Sequence, residues 1–115
     1  MTNAFSPLVL VLAFAAGTVM AAPAPQPPSD MLRAYAVCDG TARVRPVTGD
    51  AGLACAAVYE SLKLSFVPGM TTATFRALSA HDRAAVSREA YRGWSAWRAE
   101  NAALWDAMTT AACDC

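Results

Sequence analysis

From Ser79 to Ala111 the chain holds no proline and a single glycine, Gly93. Within that stretch Ala90, Trp94, Trp97, Asn101, Leu104, Met108 and Ala111 recur at alternating spacings of four and three residues, the period of a helical seam, with Tyr91 and Trp105 beside it. All three tryptophans of the protein fall in this segment. Ser79-Ala80-His81-Asp82 has the capping-box spacing, with Asp in place of the usual Glu, and predicts where the helix starts. Run without a break to about Ala111, such a helix of roughly 32 residues is about 48 Å long. The seam has to be covered, so the rest of the chain is read for what can pack on it.

Ser29 can cap a first helix over Asp30–Cys38, with Asp30 complementing the helix dipole and Gly40 as a stop. Residues 41–49 read as a loop carrying Arg43, Arg45 and Pro46. Asp50 can cap a second helix running to about Phe66, its apolar stripe being Leu53 or Ala54, then Val58, Leu62 and Phe66, with Cys55 and Tyr59 alongside. Pro68-Gly69 is a turn signal. Thr71 or Thr72 caps a short third helix, 73–78, expected to bury Phe75 and Leu78. No repeat and no strand-like alternation of useful length is present. The predicted fold is all-α, short helices packed on one long C-terminal helix and stapled by disulfides.

Residues 1–29 carry no charged side chain, and Leu8 to Ala16 is an unbroken apolar run. Val19 and Ala21 supply the small side chains a signal peptidase requires, with cleavage after Ala21. No Lys or Arg precedes the run, so the terminal amine is its only positive charge. Leu8–Ala22 is 15 residues, short of the roughly 20 needed to span a bilayer. The segment Pro23-Ala24-Pro25-Gln26-Pro27-Pro28 then separates it from the rest of the chain, as an extended or disordered spacer. The expected organisation is a signal peptide at 1–21, a Pro-rich spacer at 22–29 and one small helical domain at 30–115. The protein is expected to be exported, periplasmic or extracellular, and to meet a membrane only if the first segment is uncleaved.

Nine basic and nine acidic side chains balance, and all of them lie beyond the cut, so no general attraction to nucleic acid or anionic lipid is expected. Cys38, Cys55, Cys113 and Cys115 also lie beyond it, and an even count in a small exported domain reads as disulfides. Three pairings are possible. Closing Cys113 onto Cys115 makes a very tight ring, which favours joining the tail back to Cys38, Cys55 or both, although all three stay open.

Two functions compete. In the first, the tryptophan seam serves as the core stripe, and whatever the shorter helices leave uncovered meets a protein partner or a second copy of the chain. Its contact residues would be Tyr91, Trp94, Trp97 and Trp105, helped by Arg88, Arg92 and Arg98, with Asn101 setting register or bonding locally. Arginines early in a helix oppose its dipole, which a partner with acidic groups would explain. In the second, Cys113 and Cys115 bind a soft metal such as copper, with Met108 as a thioether ligand, or cycle as a thiol redox pair. His81, the lone histidine, precedes Asp82 at a helix start and reads as a surface residue. No nucleophile–base, paired-His or phosphate-loop motif is present, so neither an enzyme nor a cofactor is expected. The expectation is an exported, non-enzymatic helical protein that acts by binding another protein.

One layout carries a resemblance. Cys38, a gap of 16 residues, Cys55 opening a helix with Tyr59, and Pro68-Gly69-Met70-Thr71 leading to Phe75 resemble the small exported immunity proteins of bacterial type VI secretion effectors, over residues 31–78. Val67 stands where that pattern has a cysteine before the proline, and the tryptophan helix and Cys-Asp-Cys end depart from it. The resemblance implies an inhibitor or immunity-type role among the protein-binding functions.

Overall fold

The computed structural model describes residues 15–18 and 26–113, and the helical unit occupies the second of these stretches. Helix α1 spans Ser29–Ala42, α2 Gly49–Leu64, α3 Thr72–Ala77, α4 Ala80–Glu100 and α5 Ala102–Ala112. Among the described residues there is no strand, and no helix is long and apolar enough to cross a membrane. The expected signal peptide and its cleavage site fall almost wholly outside the described residues, as does Cys115.

Two boundaries are set by the capping residues. Thr71 starts α3 by accepting a hydrogen bond from the Thr74 amide at 3.1 Å, and Ser79 starts α4 by accepting one from the Asp82 amide at 3.1 Å. The expected single C-terminal helix is instead two. Asn101 leaves the helical region at φ −119°, ψ 31°, and its side-chain amide donates to the Trp97 carbonyl at 2.9 Å. A short amide side chain that bonds its own backbone competes with helix continuation. Asn101 is therefore the joint between α4 and α5, and of its expected roles the local hydrogen bond is the one seen. The break lets the seam change partners, with α4 packing on α2 and α5 packing on α1.

The start of the domain also differs from expectation. Ser29 is the first residue of α1 and caps nothing, because Pro28 occupies the cap position and its carbonyl accepts from the Leu32 amide at 3.1 Å. The end of the Pro-rich spacer is packed rather than loose. Pro27 is buried, and Gln26 accepts a hydrogen bond from the Trp97 indole at 3.3 Å. Gly40 does not stop α1 but lies inside it, buried where α1 crosses α5. A Cβ there would run into the Thr109 carbonyl oxygen, so the missing side chain is what allows the close approach.

One staple holds the first two helices: Cys38 is bonded to Cys55, with 17 residues of separation. Cys113 is disulfide-bonded as well. Since Cys38 and Cys55 are joined to each other, the favoured arrangement in which the tail is tied back to one of them is not the one adopted. A structural disulfide points to a non-reducing compartment.

The staple also turns α2 about its axis. With Cys55 facing α1, Leu62 and Leu64 are the buried residues of α2 and Cys55, Val58 and Tyr59 are half-buried, while Leu53, expected in the stripe, is 72% exposed. Leu32, Ala36, Leu62 and Phe66 close around Trp94, Trp97 and Trp105 to form the main core. A second, smaller cluster of Leu64, Val67 and Ala90 takes in Phe75 from α3. In the main core Gly93 admits Phe66, because a Cβ would sit 2.9 Å from the ring's Cγ.

Candidate functional site

The three indoles expected to face a partner lie in the core instead, Trp94 at 2% exposure, Trp97 at 5% and Trp105 at 2%. Each is there for a reason visible in its contacts. Trp94 and Trp97 stack at 5.6 Å between ring centroids, and Trp105 meets Trp94 edge-on at 5.1 Å. Such edge and offset geometries suit the ring quadrupoles. The indole N–H of Trp105 donates to the Asp39 carboxylate at 3.0 Å, and that of Trp97 to Gln26. A buried indole needs such a partner. Leu32 and Ala36 of α1 and Leu62 of α2 cover the three indoles, so these supply the core and not a surface, while Leu104 and Ala111 at the far end of the seam are exposed.

What α4 presents outward is a different set. Tyr91 is 57% exposed, and Arg88, Arg92 and Arg98 are exposed beside it. Arg88, Tyr91, Arg92, Ser95 and Arg98 recur every three or four residues, so they share the side of α4 away from the core and toward α2. Among the described residues these three arginines have no carboxylate partner, whereas Arg43 bridges Asp39 and Asp106 at 3.4 and 3.1 Å and Arg76 pairs with Glu60 at 3.8 Å. Leu104, on the outer side of α5, is also exposed.

Behind this face stands an aromatic wall, a pairing of α1 with α2 that is not visible in the sequence. Tyr35 and Tyr59 stack at 4.8 Å, and Tyr35 also stacks on Trp105 at 5.8 Å. Burial raises the Tyr35 phenol above its usual range, and the Asp39 carboxylate adds to the rise. Tyr59 is raised in the same way, by burial first and by Tyr91 second, while Arg98 opposes the shift. Both phenols therefore stay protonated at neutral pH and can donate hydrogen bonds. The Tyr–Tyr stack joins α1 to α2, beside the Cys38–Cys55 bridge, and cannot be found from spacing within either helix.

The tail residues offer less. Met108 packs against the main core and Cys113 is disulfide-bonded, so the soft-metal reading loses the two ligands that lie within the described residues. Among the described residues no group of three or more His, Cys, Asp or Glu side chains converges as a metal site. His81 is exposed in the first turn of α4. No known protein family, no curated protein and no solved structure matches the chain.

Proposed function

We propose that this is an exported, non-enzymatic protein, periplasmic or extracellular, that acts by binding another protein through the outer face of α4. The observation that carries the proposal is Tyr91 standing 57% exposed among three arginines that have no carboxylate partner among the described residues. Tyrosine and arginine are the residue types that dominate protein-binding energetics, because each combines a large contact area with directional donors. An unpaired cluster of like charges on one helix costs the isolated fold something and is relieved by an acidic partner. The Trp94, Trp97 and Trp105 core makes α4 rigid, so little ordering cost would accompany binding.

Export rests on the apolar run ending in Val19-Met20-Ala21 and on the disulfide. The intact mass of protein isolated from the exported fraction tests it, with loss of residues 1–21 expected. Binding is tested by affinity capture from that fraction with three baits: wild type, a triple Arg88→Glu, Arg92→Glu, Arg98→Glu variant, and an Arg33→Glu, Arg45→Glu control. A partner retained by wild type and control and lost by the triple variant is the expected result. Equal retention by all three baits contradicts this surface.

A further inference from the structure

Helices α2 and α4 leave an open cleft of about 410 Å³, lined by Tyr59 from α2 and by Tyr91, Trp94, Ser95, Arg98 and Ala99 from α4. Clefts of this size hold a side chain with its neighbouring backbone, more than a lone ion. Its polar side chains are Tyr59, Tyr91, Ser95 and Arg98, together with the Trp94 indole. The Arg98 guanidinium lies 5.8 Å from the centroid of the Trp94 ring, which braces it against the cleft wall. Tyr59 is held by its stack on Tyr35, and the Lys63 ammonium stands 4.3 Å from its ring centroid, placing a second cation at the α2 edge.

The acids nearby are turned away or engaged. Asp39 accepts from Trp105 at 3.0 Å and from Arg43 at 3.4 Å, and it lines a separate cleft beside the disulfide. Glu60 pairs with Arg76 at 3.8 Å. Glu89 and Glu100 each stand two residues from Tyr91 and Arg98, roughly 200° around the helix, so they face the other flank.

The geometry points to this cleft as a carboxylate site that takes an Asp or Glu side chain from an acidic segment of a protein partner. The guanidinium of Arg98 receives the two oxygens side by side, and the hydroxyls of Tyr59, Tyr91 and Ser95 donate around them. This rests on the protein-binding function proposed above and adds the chemistry of the partner.

The probe is the capped peptide acetyl-Gly-Glu-Gly-Glu-Gly-amide, with a Gln-for-Glu version as its uncharged counterpart. Each is titrated into the folded, isotope-labelled protein while the Arg98 Nε–H and Trp94 indole signals are followed. The Glu peptide should saturate and the Gln peptide should leave both signals in place. Arg98→Gln should weaken the Glu peptide about tenfold or more, as expected for a lost charged hydrogen bond. Tyr91→Phe should weaken it by a smaller factor, and Arg33→Gln should leave it unchanged. Equal binding of the two peptides, or an Arg98→Gln variant that binds as wild type does, overturns the assignment. So does an absence of saturation. If capture of a protein partner still depends on Arg88 and Arg92 in that case, the binding function stands and only the cleft assignment falls.

Discussion

Replacing Gly40 with alanine sets two effects of opposite sign against each other. Gly40 lies within α1, and a glycine-to-alanine change in a helix interior ordinarily stabilises by about 1 kcal/mol. At this position the new Cβ would strike the Thr109 carbonyl oxygen, lie 3.1 Å from its carbon and 3.5 Å from the Cys113 amide nitrogen. All three are backbone atoms at the end of α5, so no rotamer change relieves the contact and α5 has to move as a unit. Overpacking of this kind costs about 1–3 kcal/mol. The expected net is a loss of about 1 kcal/mol, or a fall of about 4–8 °C in Tm for a domain of this size. Ala34→Gly, on the exposed side of the same helix, calibrates the propensity and should cost about 1 kcal/mol by itself. Thermal and urea unfolding followed by far-UV circular dichroism measure both. If Gly40→Ala raises Tm while Ala34→Gly lowers it, the close packing of α1 on α5 is refuted.

Other outcomes are expected from the same structure. The Cys38→Ser, Cys55→Ser double variant should lose about 3 kcal/mol, the chain-entropy value for a closed loop of 17 residues; a loss below about 1 kcal/mol in urea unfolding would show that the staple constrains little. Asn101→Ala removes the hydrogen bond that the side-chain amide donates to the Trp97 carbonyl at the α4–α5 joint, so unfolding should cost about 1 kcal/mol less, and an unchanged midpoint would deny the joint its role. Because the Tyr35 and Tyr59 phenols are raised mainly by burial, their contribution is complete below the unfolded value near 10 and is lost as pH climbs through the folded values. Stability should therefore decline in alkali beyond about pH 10, and a Tyr35→Phe, Tyr59→Phe variant should show a shallower decline; parallel curves would contradict the burial argument.

The local parts of the fold are legible in the sequence. Thr71 and Ser79 announce helix starts because capping depends on residues three apart. The turn at Pro68-Gly69 and the inward face of Leu62 and Phe66 are equally plain. What spacing cannot supply is information held between elements. Gly40 looks like a stop, yet it is a crossing point, because the reason for a glycine there is the Thr109 backbone in α5. Asn101 fits a heptad seam as well as any polar residue; only its own hydrogen bond to Trp97 shows that it ends a helix. The choice between Cys55 and the tail as the partner of Cys38, on which the orientation of α2 depends, is open in the sequence for the same reason.

The candidate site divides in the same way. Spacing picks out Tyr91, Arg88, Arg92 and Arg98 as contact residues, and they lie on the outer face of α4. It groups Trp94, Trp97 and Trp105 with them, but periodicity alone does not say which side of an aromatic helix is covered, and α1 and α2 cover theirs. In the sequence Tyr59 is only a flank of the α2 stripe. Its pairing with Tyr35 and its place opposite Arg98 arise from three helices coming together.

The outer face of α4 as a binding surface is tested most directly by site-specific photo-crosslinking. A benzophenone side chain replaces Tyr91 in one protein and Leu53 in another; both positions are exposed, at 57% and 72%, and they lie on different helices. After irradiation in the exported fraction, a discrete protein adduct that acidic peptide suppresses is expected at position 91, and none at position 53. The same adduct at both positions, or at position 53 alone, would contradict this surface.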